Sequence, residues 1–196
     1  LVGSEMCIRD RDIRELGTEQ LMSRLSMVFQ DVYLFDDSLI ANIRVGRPDA
    51  SDEEVFRAAD LSGVTSIANR LGWHTPVGEG GRLLSGGERQ RVSVARALLK
   101  QAPIVLFDEA TSALDAENEA NILAAMDELR EQSTFIVIAH KLDTIKSADQ
   151  IVVLDEHGQV SQLGTHSELS DVPGIYRHFW QQRKAARGWR ISSGRD

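Results

Sequence analysis

Several things are scarce in this chain, and each scarcity excludes a class of protein. It has one cysteine, Cys7, so no internal disulfide can form and a reducing compartment suits it. No apolar run approaches the ~20 residues that cross a bilayer as a helix; the longest cover 104–107, 135–139 and 151–154. The first residues lack the apolar core of a secretory signal. Positive charge is short as well: 22 Lys and Arg stand against 30 Asp and Glu, a net charge of −8. A stable nucleic-acid partner is therefore disfavoured, because phosphate backbones are held by clustered Lys and Arg. The only lysines are Lys100, Lys141, Lys146 and Lys184, and none follows a glycine. The phosphate-cradling Gly-x-x-x-x-Gly-Lys motif is thus missing.

What is present reads as one α/β domain. A chain of 196 residues is long enough to bury roughly 70% of its unfolded surface. Short apolar strands alternate with amphipathic helices: "LSMVF" (25–29), "IVLF" after Pro103, "TFIVIAH" (134–140) and "IVVL" (151–154). Such continuous apolar strands predict a mostly parallel sheet with helices on both faces. Between them, "SDEE" is a capping box with Ser51 at the N-cap and Glu54 three residues on, opening a helix to about Ala59. Further helices are expected over 64–71, 87–100 and 117–130, the last burying Ile122, Met126 and Leu129. "DEHG" (155–158) turns the chain into "QVSQLG", and Thr165 with Glu168 forms a second capping box.

The chemistry gathers in five places. "LSGGERQR" (84–91) sets a Ser-Gly-Gly turn at the start of a helix whose apolar stripe is Val92, Ala95, Leu98 and Leu99. Backbone N–H groups at such a turn lie next to the positive end of the helix dipole and attract an anion. "IVLFDE" delivers Asp108 and Glu109 at the C-terminal end of a buried strand, where ligands sit in open α/β sheets. A carboxylate there suits Mg²⁺, and its neighbour can orient or deprotonate a water. Gln30 follows one strand and His140 ends another; alone, each reads more readily as an ordinary polar residue. Asp36 and Asp37 read as a solvated acidic pair.

Taken in order, Gln30, "LSGGERQ", "FDE", "SALD" (112–115) and His140 resemble the nucleotide-binding domain of ABC transporters. The resemblance runs from about Asp12 to Leu169. It implies a P-loop-NTPase-like ABC ATPase fold with a helical signature subdomain, without the N-terminal P-loop portion. It also implies ATP and Mg²⁺ as ligands, sandwiched between two such domains arranged head to tail. On this resemblance Ser85, Gly86, Gly87, Gln90 and Asp115 bind the nucleotide, and Asp108 with Gln30 holds the metal. Glu109, His140 and Gln30 carry the catalysis. "TPVGEGG" (75–81) is similar to the exporter-type loop, in which Glu79 meets the intracellular ends of the membrane helices, as does the region near Gln30. "GTHSEL" (164–169) fits the same class. The segment 29–55 together with the tail over 176–189 is similar to actinobacterial half-transporters of siderophore type.

The expected organisation is a head over 1–11 outside the family pattern, an ATPase domain over 12–170, and a C-terminal helix and basic tail over 171–196. The head is expected to be foreign to the native gene, with a P-loop upstream of it. The tail is expected to be a solvated end, with Trp180 and Trp189 free to pack on the domain or near a membrane. The resemblance places the domain at the cytoplasmic face of a membrane, contacting a transmembrane domain and a second nucleotide-binding domain. Two rival readings are a soluble ABC ATPase of DNA repair or translation and a silent dimerisation module.

Overall fold

The computed structural model describes residues 7–8, 11–12, 16–29, 31–108, 125–131, 133–138 and 145–188. Two compact units emerge, residues 1–138 and 139–196.

The first unit opens with two short antiparallel strands, β1 (Cys7–Ile8) and β2 (Arg11–Asp12). Helix α1 (Thr18–Arg24) runs directly into β3 (Leu25–Val28). Three helices follow: α2 (Leu39–Arg44), α3 (Asp52–Leu61) and α4 (Thr65–Leu71). The expected Ser51–Glu54 capping box starts α3. A 3-10 turn at Glu79–Gly81 precedes α5 (Gly86–Lys100), which leads to β4 (Ile104–Asp108) and, further on, β5 (Thr134–Ile138). The three strands form one parallel sheet in the order β3-β4-β5, with Leu25 beside Ile104 beside Thr134.

Helix α5 is the centre of the core. Val92, Val94 and Ala95 are wholly buried, and Leu98 and Leu99 nearly so. They pack in one cluster with Ile43 of α2, Val55 and Ala59 of α3, Ile67 of α4, and Val28, Val105 and Phe107 of the sheet. At 15 residues the helix is about 22 Å long. Residues 125–131 are helical and add Met126 and Leu129 to the same cluster; Ile122 lies outside the described residues. The β pattern explains the sheet's sidedness. Alternate residues Ser26, Val28, Val105 and Phe107 are buried, while Met27, Ile136 and Ile138 on the opposite face remain 38%, 49% and 59% exposed. Among the described residues one face is therefore packed and the other carries the more exposed side chains.

The second unit is an antiparallel hairpin, β6 (Ile151–Leu154) with β7 (Val160–Gly164), followed by α6 (His166–Asp171) and α7 (Ile175–Gly188). The "DEHG" turn closes as expected: the Asp155 carboxylate accepts from the N–H groups of His157 and Gln159. Thr165 caps α6 and forms the second expected box with Glu168. Ile151, Leu169 and Tyr176 make a small core, so the start of the expected tail is built into this unit. Trp180 packs edge-on against His166, with ring centroids 4.4 Å apart. Trp189 lies outside the described residues.

Candidate functional site

Helix α5 begins one residue before the expected Gly87, at Gly86, with Ser85 as its N-cap. The Ser85 N–H donates to Glu88 Oε2 at 2.8 Å, and the Glu88 N–H donates to Ser85 Oγ at 3.3 Å. The turn is thus a capping box of its own. Burial works to raise the Glu88 carboxyl, but the Ser85 N–H and the Arg70 guanidinium outweigh it, so Glu88 titrates below the ordinary 4.5. Arg70 Nη2 stands 2.5 Å from Glu88 Oε1 and ties α4 to the cap.

The box satisfies one first-turn donor and leaves the N–H groups of Gly86 and Gly87 without a partner among the described residues. Ser85 and Gly86 are exposed. A side chain at Gly86 would meet nothing nearer than Arg89 Nη2, at 4.0 Å. No described residue requires glycine there. The dipole of a 15-residue helix points its positive end at that spot, an arrangement suited to an anion approaching the backbone. Behind the turn, Arg89 Nη1 donates to the Leu84 carbonyl at 2.8 Å and holds the entry to the helix. Gln90 is 7% exposed, and its Nε2 has no hydrogen-bond partner among the described residues.

Asp108 ends β4, the middle strand of the parallel sheet, and is half-buried. Its carboxylate makes no described ion pair. Gln30, Glu109, Asp115 and His140 lie outside the described residues; the last described residues before Gln30, Glu109 and His140, namely Phe29, Asp108 and Ile138, stand at or just past the C-terminal ends of the three strands. The turn and the carboxylate sit at opposite ends of one segment, residues 85–108, which runs through α5 and β4.

A second surface adjoins the first. Residues 33–39 and 72–84 are stitched together by backbone bonds: Val77 N–H to Asp37 O at 3.0 Å, Leu39 N–H to Thr75 O at 3.2 Å, and a bridge between Ser38 and Pro76. Gly81, at φ 71°, permits the closest approach, since a side chain there would collide with Leu34 at 2.8 Å. On the outside, Tyr33 and Phe35 meet edge-on at 5.9 Å and are 58% and 51% exposed, with Leu83 and Glu79 also exposed. Asp36 and Asp37 are exposed, as expected.

Sequence reasoning missed the pair that backs this surface. Asn42 is 1% exposed. Its Oδ1 accepts from the Phe35 N–H at 2.9 Å, and its Nδ2 donates to the carbonyls of Phe35 and Ser38. Arg96 of α5 reaches the same residue, donating from Nε to Asn42 O and from Nη2 to Asn42 Oδ1, each at 2.7 Å. Its Nη1 donates to the Tyr33 carbonyl at 3.0 Å. Burial pulls the Arg96 guanidinium down to about 10, which leaves it charged at neutral pH. No local spacing announces this pair, because the two residues are 54 positions apart.

Among the described residues there is no cluster of three metal-ligating side chains, and no helix is long and apolar enough to cross a membrane. A family model described as ABC transporter matches residues 3–112, which takes in most of the 1–11 head. The ATP-dependent lipid A-core flippase of Neisseria meningitidis is 46% identical over 173 residues, 87% of this chain and 28% of its own length. The beta-(1-->2)glucan export ATP-binding/permease protein of Agrobacterium vitis is 45% identical over 174 residues, 88% of this chain and 30% of its own. A bacterial Atm1-family ABC exporter solved with ATP bound matches with a TM-score of 0.83 at 41% identity, over 93% of this chain and 32% of the exporter chain. The chain spans less than a third of the length of these relatives. With the Ser85 turn, the Asp108 strand end and a matching parallel sheet already in place, the chain belongs to the ABC transporter family.

Proposed function

We propose that this chain is the ATP-binding and hydrolysing domain of an exporter-type ABC transporter, at the cytoplasmic face of a membrane, driving transport by ATP-dependent dimerisation. The observation that supports the reading is the pair of N–H groups at Gly86 and Gly87, which have no partner among the described residues and lie at the positive end of α5, with open space around an added side chain at Gly86. A γ-phosphate held by the P-loop of a second, head-to-tail domain is the anion that fits. Relatives named for lipid A-core and for a glucan match about equally well. The cargo is therefore set outside this domain, and the siderophore likeness bears on the membrane portion. Those exporter relatives, with the acidic charge, weigh against a DNA-repair role.

Asp108 is a hard oxygen donor with no ion pair among the described residues, at the C-terminal end of β4, and this donor chemistry suits Mg²⁺. With Gln30 it would hold the ion, which when bound offsets phosphate charge. Glu109 orients and deprotonates the attacking water, His140 meets the γ-phosphate, and Gln90 and Asp115 line the nucleotide side. The surface around Tyr33, Phe35 and Glu79, next to Gln30, is the one offered to the transmembrane domain. Residues 12–170 form the ATPase portion, and 171–196 a C-terminal helix and tail.

The test is Glu109→Gln in the intact transporter chain. A general base contributes ~10²–10⁴ in rate, about 3–5 kcal/mol of barrier. Turnover should fall by that factor while Mg-ATP binding persists, and the domains should accumulate as a nucleotide-bound dimer on size exclusion. Hydrolysis within a few-fold of the parent would overturn the assignment of Glu109.

A further inference from the structure

Helix α5 carries the anion-binding turn at one end, and the aromatic loop 33–37 flanks its middle. The three hydrogen bonds described between α5 and residues 31–46 all come from one side chain, Arg96. The backbone of the same residue grips the segment too. A side chain at Gly46 would stand 2.3 Å from the Arg96 carbonyl oxygen, so the two main chains touch. The acceptors of the guanidinium are two backbone carbonyls and an amide oxygen, all neutral, and no described carboxylate compensates its charge. Without it the Asn42 and Tyr33 oxygens would each lose a donor. A planar fork that reaches three oxygens on two stretches of chain has a geometric use that a point charge lacks. Phe35, 5.9 Å from the guanidinium, stacks over the same group.

We propose that Arg96 is a positioning residue whose guanidinium fastens the exposed aromatic loop 33–37 to the signature helix α5, so that nucleotide contact at Ser85 moves the loop with the helix. The proposal rests on the functional reading above, in which that loop faces the transmembrane domain. It makes Arg96, which touches neither nucleotide nor membrane domain, the mechanical joint between the two surfaces. Asn42 is the other half of the joint, since one amide holds Phe35 and receives Arg96.

The experiment uses the intact transporter chain in nanodiscs, with Mg-ATP and vanadate as the probe and hydrogen exchange of peptides covering 31–44 as the readout. In the parent, nucleotide should slow exchange of this segment by about threefold or more. Arg96→Met should abolish that response, while affinity for a fluorescent ATP analogue stays within about twofold and protection of α5 itself is unchanged. Arg96→Lys, which keeps the charge and one donor, should respond in between. If Arg96→Met does not fold, the lysine variant decides: a response below the parent's supports the joint, and a full response overturns it. A parent-like response in Arg96→Met overturns it directly, as does loss of α5 protection in step with the loop, which marks a merely structural role. A parent that binds nucleotide without any change over 31–44 overturns the joint alone. A parent that binds no nucleotide overturns the functional reading, and the joint with it.

Discussion

Gly46 has no side chain because the Arg96 carbonyl stands where one would be. Its backbone needs no left-handed angle, so the demand is for space alone. Gly46→Ala should destabilise the chain by ~1–3 kcal/mol, the usual cost of forcing atoms into a packed contact. Gly17→Ser is the control: nothing lies within 4 Å of that position, and it is an N-cap, so stability should hold or rise slightly. Urea unfolding of the two variants distinguishes a tight contact from a general intolerance of substitution. Ser85 allows a sharper separation, between folding and function. Ser85→Asp supplies an equally good N-cap and should keep stability within about 0.5 kcal/mol. The same carboxylate faces the proposed phosphate position and should abolish nucleotide-driven dimerisation of the intact domains. Dimerisation that survived Ser85→Asp would leave the turn with a capping role only.

The three boxed helices share a dependence on pH. Glu54, Glu88 and Glu168 each receive N–H bonds from their own cap residue, and each titrates below the ordinary 4.5. A carboxylate depressed by folding stabilises the folded state above its unfolded value, and that contribution is lost as pH falls through the folded value. The first turns of α3, α5 and α6 should therefore loosen together as pH drops below about 4.5, before the core melts. Amide exchange at Glu54, Glu88 and Glu168 would report it; uniform exchange across the chain over that range would contradict it. This is also the scale at which the sequence spoke most clearly. Ser51–Glu54 and Thr165–Glu168 are local patterns, legible because a capping box spans only four residues. "LSGGERQ" hid a third box behind its glycines, which drew attention to the anion site instead. The strand "TFIVIAH" agrees with β5 over 134–138, and Ala139 and His140 lie outside the described residues. Arg96 was illegible altogether. Its position in "ARALLK" is that of an ordinary helix arginine, and only tertiary packing brings Tyr33 and Asn42 to it.

At the scale of the molecule, the unequal faces of the sheets matter most. In the first unit Met27, Ile136 and Ile138 are exposed on one side of the parallel sheet. In the second, Val152, Leu154, Val160 and Leu163 line the outer side of the hairpin at 54–63% exposure. The apolar strand runs predict helices on both faces; the described residues shelter one of them, and hydropathy counts apolar residues without saying what shelters each one. Contiguous apolar patches of this kind promote association. The isolated 196-residue chain should self-associate at micromolar concentration, and Ile136→Lys with Leu163→Lys should shift it toward the monomer in sedimentation velocity. A parent that sediments as a clean monomer would count against an open face.

Inside a cell, those faces would also act as a signal. Chaperones and quality-control proteases sort chains by exposed apolar strands, the same feature that a misfolded polypeptide presents. A chain with a well-packed α5 core and two bare sheet faces would be folded by calorimetry and yet handled as unfinished. Its abundance would follow how quickly something sheltered Met27, Ile136 and Leu163, more than the free energy of its core. The two lysine substitutions should then lengthen its half-life after translation is blocked, without raising its melting temperature.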